Sequence, residues 1–163
     1  MSEKGRKDRR QVALLFAAAI LVYSLDQLTK LFMVSVLPPG GSIPLIGNIV
    51  RLTLVYNTGA AFGAFRGHPR LFLLIALFSF FFICLFLRLK HKDLRFPEKL
   101  ALTFVLSGTA GNLTDRLRVG RVVDFIDLRV WPVFNFADTF ITAGMVILAV
   151  SILLKTSHAG HRA

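Results

Sequence analysis

Four long apolar runs dominate this chain, and they leave it few ways to fold. A helix needs about 20 predominantly apolar residues to cross a bilayer. The runs at about 12–36, 70–88, 98–117 and 137–155 are long enough, and LFLLIALFSFFFICLFL (Leu71 to Leu87) carries no charge at all. With 163 residues there is room for one compact domain. The expected fold is therefore an integral membrane protein, mainly α, built as a bundle of four transmembrane helices. Composition agrees, at 55% hydrophobic residues and a mean hydropathy of +0.64, above the balance of soluble domains. The first run also admits a cleavable signal peptide, because basic Lys4–Arg10 precedes apolar Val12–Leu25. Apolar sequence resumes at Leu31, which favours a retained helix.

Charge supplies an orientation. The net charge of +11 suggests a polyanionic partner, yet the cations cluster between apolar runs, which suits lipid headgroups better than nucleic acid. MSEKGRKDRR holds five Lys or Arg, Arg88–Lys99 five, and the tail from Lys155 two, against only Arg51 and Arg66 in 37–69. The positive-inside rule then puts both termini in the cytoplasm, with the extracytoplasmic segments 37–69 and 118–136 on the opposite face. Arg116, Arg118, Arg121 and Arg129 break the pattern, and pairing of three of them with nearby acids is the expected reason. The lone Cys84 lies inside an apolar run and the four histidines are scattered, so neither a disulfide framework nor a metal site is expected.

The segment 37–69 is more than a tether. PPGGS breaks the helix, residues Ile49–Tyr56 alternate apolar and polar, and Asn57 and Gly59 mark a turn. A small β-element between helices 1 and 2 is expected, with an exposed edge that can hold an extended peptide.

The acids carry the chemistry. Three of the nine carboxylates fall in VGRVVDFIDLRVWPVFNFADTFI, among apolar neighbours. A carboxylate beside lipid is unfavourable unless it is paired, protonated or hydrated. Asp124 and Asp138 both fall at the outer boundary, and the loop with Trp131 and Pro132 can bring them face to face. Two close carboxylates share one proton, giving a base for water and an acid for a carbonyl oxygen. A plainer reading makes Asn135 the N-cap of the last helix and Asp138 a first-turn acid. In LDQLTK, Asp26 and Lys30 stand at i, i+4, the spacing of a structural ion pair. Alternatively, Asp26 lines a polar cavity while Lys30 extends outward. In GNLTDR, Arg116 is an orienting group or a headgroup contact, and Gly108 and Gly111 permit close helix packing. A Ser107–Lys30 hydrolase has no support in the spacing.

Taken in order, LDQLTK, YNTGAAFG, GTAGNLTDRLRVGRVVDFID and FNFADTFITAG resemble the bacterial lipoprotein signal peptidases (signal peptidase II), over Asp26 to Gly144. The resemblance implies an inner-membrane aspartic endopeptidase without a cofactor. Its substrates would be diacylglyceryl-modified prolipoproteins, cut just before the lipidated cysteine. It assigns catalysis to Asp124 and Asp138, and supporting or substrate-binding roles to Asp26, Lys30, Asn57, Gly59, Gly108, Asn112, Asp115, Arg116, Asn135 and Ala137. It further implies membrane lipids as surroundings, a monomer, and inhibition by globomycin-type cyclic peptides. Two departures stand out: Thr109 occupies a position where Gly is common, and LRVWPVF is shorter than in many members. Other classes fit the acids less well: a small transporter or channel subunit, or a non-catalytic assembly factor.

Overall fold

The computed structural model describes residues 3–47, 49–59 and 69–160. Ala60–Gly63 of the YNTGAAFG block, Arg66 and Arg162 lie outside the described residues. The elements run α1 (Glu3–Val36), β1 (Ser42–Ile46), β2 (Val50–Asn57), α2 (Pro69–Lys90), α3 (Phe96–Val119), β3 (Val122–Asp127) and α4 (Phe136–Gly160).

Among the described residues, three helices, over Gly5–Val36, Arg70–Lys90 and Phe136–Lys155, are long and apolar enough to cross a membrane. Their outward side chains, among them Phe16, Leu21, Phe78, Phe82, Val146 and Leu153, are exposed, as befits residues whose solvent is hydrocarbon. α3 falls short of that criterion for a physical reason. It packs against α1, α2 and α4, and its Thr103, Ser107, Thr109, Asn112 and Asp115 are buried against those neighbours. Polar groups shielded by protein do not face lipid. The close packing depends on glycine. A Cβ on Gly108 would stand 2.5 Å from the Ala137 carbonyl oxygen, and one on Gly111 would collide with Asp26 Oδ2.

α1 is part of the bundle, with Val22 and Met33 buried. At the ends of α1 and α3, Met33 and Leu37 meet Leu54, Val123 and Phe125 in a small apolar core. This core ties the helices to an antiparallel sheet of order β1-β2-β3. The β1–β2 hairpin is the anticipated element; β3 was not anticipated. α3 ends at Gly120, whose left-handed φ of 72° lets its N–H bond to the Arg116 carbonyl. The chain then turns directly into β3, which pairs Val55 with Asp124 and Asn57 with Val122. β2 is consequently the central strand. Both of its edges are paired, so among the described strands the hairpin's open edge is that of β1.

Candidate active site

The site is assembled where β3, its following loop and the start of α4 close on α3. Phe134 pairs with Ile126, its N–H donating to the Ile126 carbonyl at 3.0 Å and its carbonyl accepting from Ile126 N–H at 2.7 Å. That fold-back delivers Asn135 and α4 to the side of Asp124.

Asn135, fully buried, joins the two acids. Its Nδ2 donates to Asp124 Oδ1 at 2.7 Å, while its Oδ1 accepts the Asp138 backbone N–H at 2.9 Å. The Asn135 N–H in turn donates to Asp138 Oδ2 at 3.3 Å. This reciprocal arrangement is a helix cap. Asp138 therefore fills the plainer role with Oδ2, which leaves Oδ1 to accept from Asn112 Nδ2 at 2.8 Å. Asp124 Oδ2 accepts from Asn57 Nδ2 at 2.9 Å, and Asn57 is held in turn by the Gly59 N–H on its Oδ1 at 2.9 Å.

Asp124 and Asp138 line one cavity of about 330 Å³, together with Asn57, Asn112, Arg116, Phe72 and the Trp131–Phe134 loop. Burial, and secondarily the charge of Asp138, push the Asp124 carboxyl up to about 7, against the opposing hydrogen bonds from Asn57 and Asn135. Asp124 is thus about half protonated at pH 7 and holds its proton below that pH. Asp138 sits in the first turn of α4, and each of its oxygens accepts a hydrogen bond.

Behind the cavity lies a second polar layer. Lys30 is buried, with Nζ 2.9 Å from Asp26 Oδ2 and 2.8 Å from Asp115 Oδ2. It also donates to Asn112 Oδ1 at 2.9 Å. Because Asn112 Oδ1 accepts there, its amide nitrogen is directed at Asp138. The Asp26–Lys30 pair is real, but Lys30 points inward, and its contacts leave no role for a Ser107–Lys30 couple. Asp26 Oδ1 accepts the N–H of Ala137 at 2.9 Å, and Asp115 Oδ2 accepts that of Val123 at 3.2 Å. The buried acids thereby fix the backbones that carry Asp124 and Asp138.

The arginine expectation fails. Among the described residues, Asp124 and Asp127 make no ion pair with Arg116, Arg118, Arg121 or Arg129. Asp127 instead accepts from Thr53 Oγ1 and the Arg129 N–H, while Arg116 Nη1 donates to the Asn112 carbonyl. Short neutral donors satisfy these acids, and no long side chain has to be immobilised. Sequence reasoning also missed Gln27, whose Nε2 reaches Asp26, Asp115 and the Gly111 carbonyl. An amide inside an apolar run was the signal for it.

Fold and site define a multi-pass helical membrane protein with a paired-carboxylate cavity at one end of the bundle. The family model described as signal peptidase (SPase) II matches residues 18–154. The lipoprotein signal peptidase of Moorella thermoacetica is 42% identical over 142 residues, which is 87% of this chain and 94% of that protein. That of Clostridioides difficile is 38% identical, over 85% of this chain and 93% of its own. A bacterial membrane enzyme solved by the in meso method at 2.3 Å superposes with a TM-score of 0.83 at 29% identity, covering 90% of this chain and 92% of the other. The chain belongs to the signal peptidase II family of aspartic-type peptidases, which remove signal peptides from prolipoproteins.

Proposed function

We propose that Asp124 and Asp138 are the catalytic pair, and that the bond cut is the one just before a diacylglyceryl-modified cysteine. The observation that carries this reading is Asn135, which bonds Asp124 and caps Asp138 at once, so that both acids face one cavity. Asp138, as the carboxylate, takes a proton from water as the oxygen attacks the scissile carbonyl. Asp124 gives its proton to the carbonyl oxygen, which stabilises the tetrahedral intermediate. On collapse, Asp138 returns its proton to the leaving amine, Asp124 recovers its own, and no acyl-enzyme forms.

The cavity shares Phe72, Asn112 and Arg116 with a groove of about 700 Å³ whose wall includes Ile75, Phe78, Phe82 and Ile83 of α2. Acyl chains lie there while the peptide crosses the acids. The working form is a monomer, and globomycin-type cyclic peptides compete in this cavity. The decisive assay is cleavage by purified protein in detergent. A lipidated prolipoprotein should be cut and its unlipidated precursor left intact; equal cutting of both would refute the lipid requirement.

Asn57→Ala removes one donor from Asp124 and should lower kcat about 10- to 100-fold, the usual effect of losing one buried hydrogen bond to an acid. KM should change little, because Asn57 touches the acid and not the bulk of the substrate. A rise in KM with kcat intact would make Asn57 a substrate contact instead.

Both termini are cytoplasmic on this reading, and the sheet is extracytoplasmic, as the basic residues of Arg88–Lys99 require. Leu45 and Val130 are exposed on the sheet side. In a Cys84→Ser background, Leu45→Cys and Val130→Cys should react with an impermeant thiol reagent in intact cells. Protection of both, with labelling only after lysis, would invert the topology.

A further inference from the structure

Of the cations that break the charge asymmetry, Arg118 and Arg121 do not line the cavity just described. Arg118 and Arg121 are exposed, lie at the sheet end of the bundle, and among the described residues make no ion pair. Arg118 lines a hollow of about 200 Å³ that shares no lining residue with the acid cavity, between the sheet-side ends of α1 and α3. Its apolar wall is Leu31, Val34 and Val119; the Lys30–Asp115 pair, Gln27 and Tyr56 line it as well, and the Arg121 guanidinium stacks 3.9 Å from the Tyr56 ring centroid. Asp115 is no counter-ion for these arginines, because Lys30, Gln27 and the Val123 N–H already engage it.

We propose that this hollow binds one anionic phospholipid, its phosphate held by Arg118 with Arg121 beside it, and an acyl chain along Leu31, Val34 and Val119. Two features together select that occupant. Guanidinium groups without an acid partner match a phosphate, which they bind through paired N–H donors. The exposed apolar wall directly beneath matches a hydrocarbon chain, which a free anion would leave uncovered. The helix ends place both features at the level where headgroup meets acyl chain. The lipid therefore occupies an annular site, separate from the substrate's groove on α2.

The test is native mass spectrometry of the full chain released from detergent with phosphatidylglycerol or phosphatidylcholine. Wild type should retain one phosphatidylglycerol in preference to phosphatidylcholine. Each surface cation is worth roughly a fivefold change in partition to an anionic headgroup, so Arg118→Gln with Arg121→Gln should lower retention about 30-fold. Arg118→Lys should keep most of it. Val34→Trp, which fills the apolar wall and leaves both charges, should lower it as well. Equal retention by wild type and the double variant overturns the proposal, and so does equal retention of the two lipids. Displacement of the lipid by inorganic phosphate at comparable concentration would assign the arginines to a free anion and also overturn it. The double variant should cleave substrate at the wild-type rate in detergent without anionic lipid, so failure here is distinct from failure of the catalytic assignment.

Discussion

Asp124→Asn and Asp138→Asn are each expected to lower prolipoprotein cleavage by about 10²- to 10⁴-fold, the range that positioned acid–base groups contribute. Asn preserves the shape of the side chain but can neither carry the shared proton nor accept one from water. Both proteins should still insert, since the helix contacts and the buried Lys30 layer are untouched. The wild-type rate should also depend on pH with a definite sign. Asp124 keeps its proton up to about 7, against an ordinary 3.8. Below that pH it is the acid the mechanism requires. As pH rises through 7 it ionises beside a charged Asp138, the oxyanion loses its donor, and cleavage falls. Near-full turnover by either Asn variant in a folded preparation would remove that residue from catalysis. A rate that keeps climbing well above pH 7 would remove the proton from Asp124.

The sequence showed the bundle and the acids for one reason: polar groups inside apolar runs stand out. Asp26, Lys30, Asn112, Asp115 and Asn135 drew attention that way, and all of them are buried in the protein. β3 was invisible because VVDFID, with Asp at its third and sixth positions, lacks the strict alternation that marks a half-buried strand. Its first four residues are buried, and its strand conformation comes from pairing with β2, a contact remote in sequence. The roles of the arginines were misread because proximity in sequence suggested pairing. Asp124 and Asp127 face a strand and a helix cap, where Asn and Thr side chains and backbone N–H groups arrive at shorter range. The choice between cap and catalytic acid for Asp138 could not be made from spacing, and geometry dissolves it: one oxygen caps while the other faces Asn112 and the cavity.

Lys30→Met should be the most destabilising single change in the polar layer. Met keeps the length and apolar stem of Lys but removes the one cation that, among the described residues, touches both Asp26 and Asp115. Those carboxylates are 0% and 6% exposed, so neither can recover hydration. Breaking a buried pair by removing one partner is worth about 3–5 kcal/mol, or roughly 10 °C in the melting temperature of a domain this size. Asp115→Asn should be milder, because it leaves the Lys30–Asp26 pair intact and Gln27 still bonded to Asp26. Combining the two should recover part of the Lys30→Met loss, since only one buried carboxylate then lacks its cation and Asp26 retains the Ala137 N–H. The losses are therefore expected to be less than additive. Turnover by the folded fraction of Lys30→Met should be reduced but not abolished, because Asn112 Oδ1 loses one of its two donors, keeping Asn135 Nδ2 at 3.1 Å, while the acids themselves remain. Thermal unfolding in detergent, paired with cleavage of a lipidated substrate, reads both effects. A melting temperature within about 2 °C of wild type would show that Lys30 does not neutralise this layer. Full stability with no cleavage at all would move Lys30 from the scaffold into the reaction.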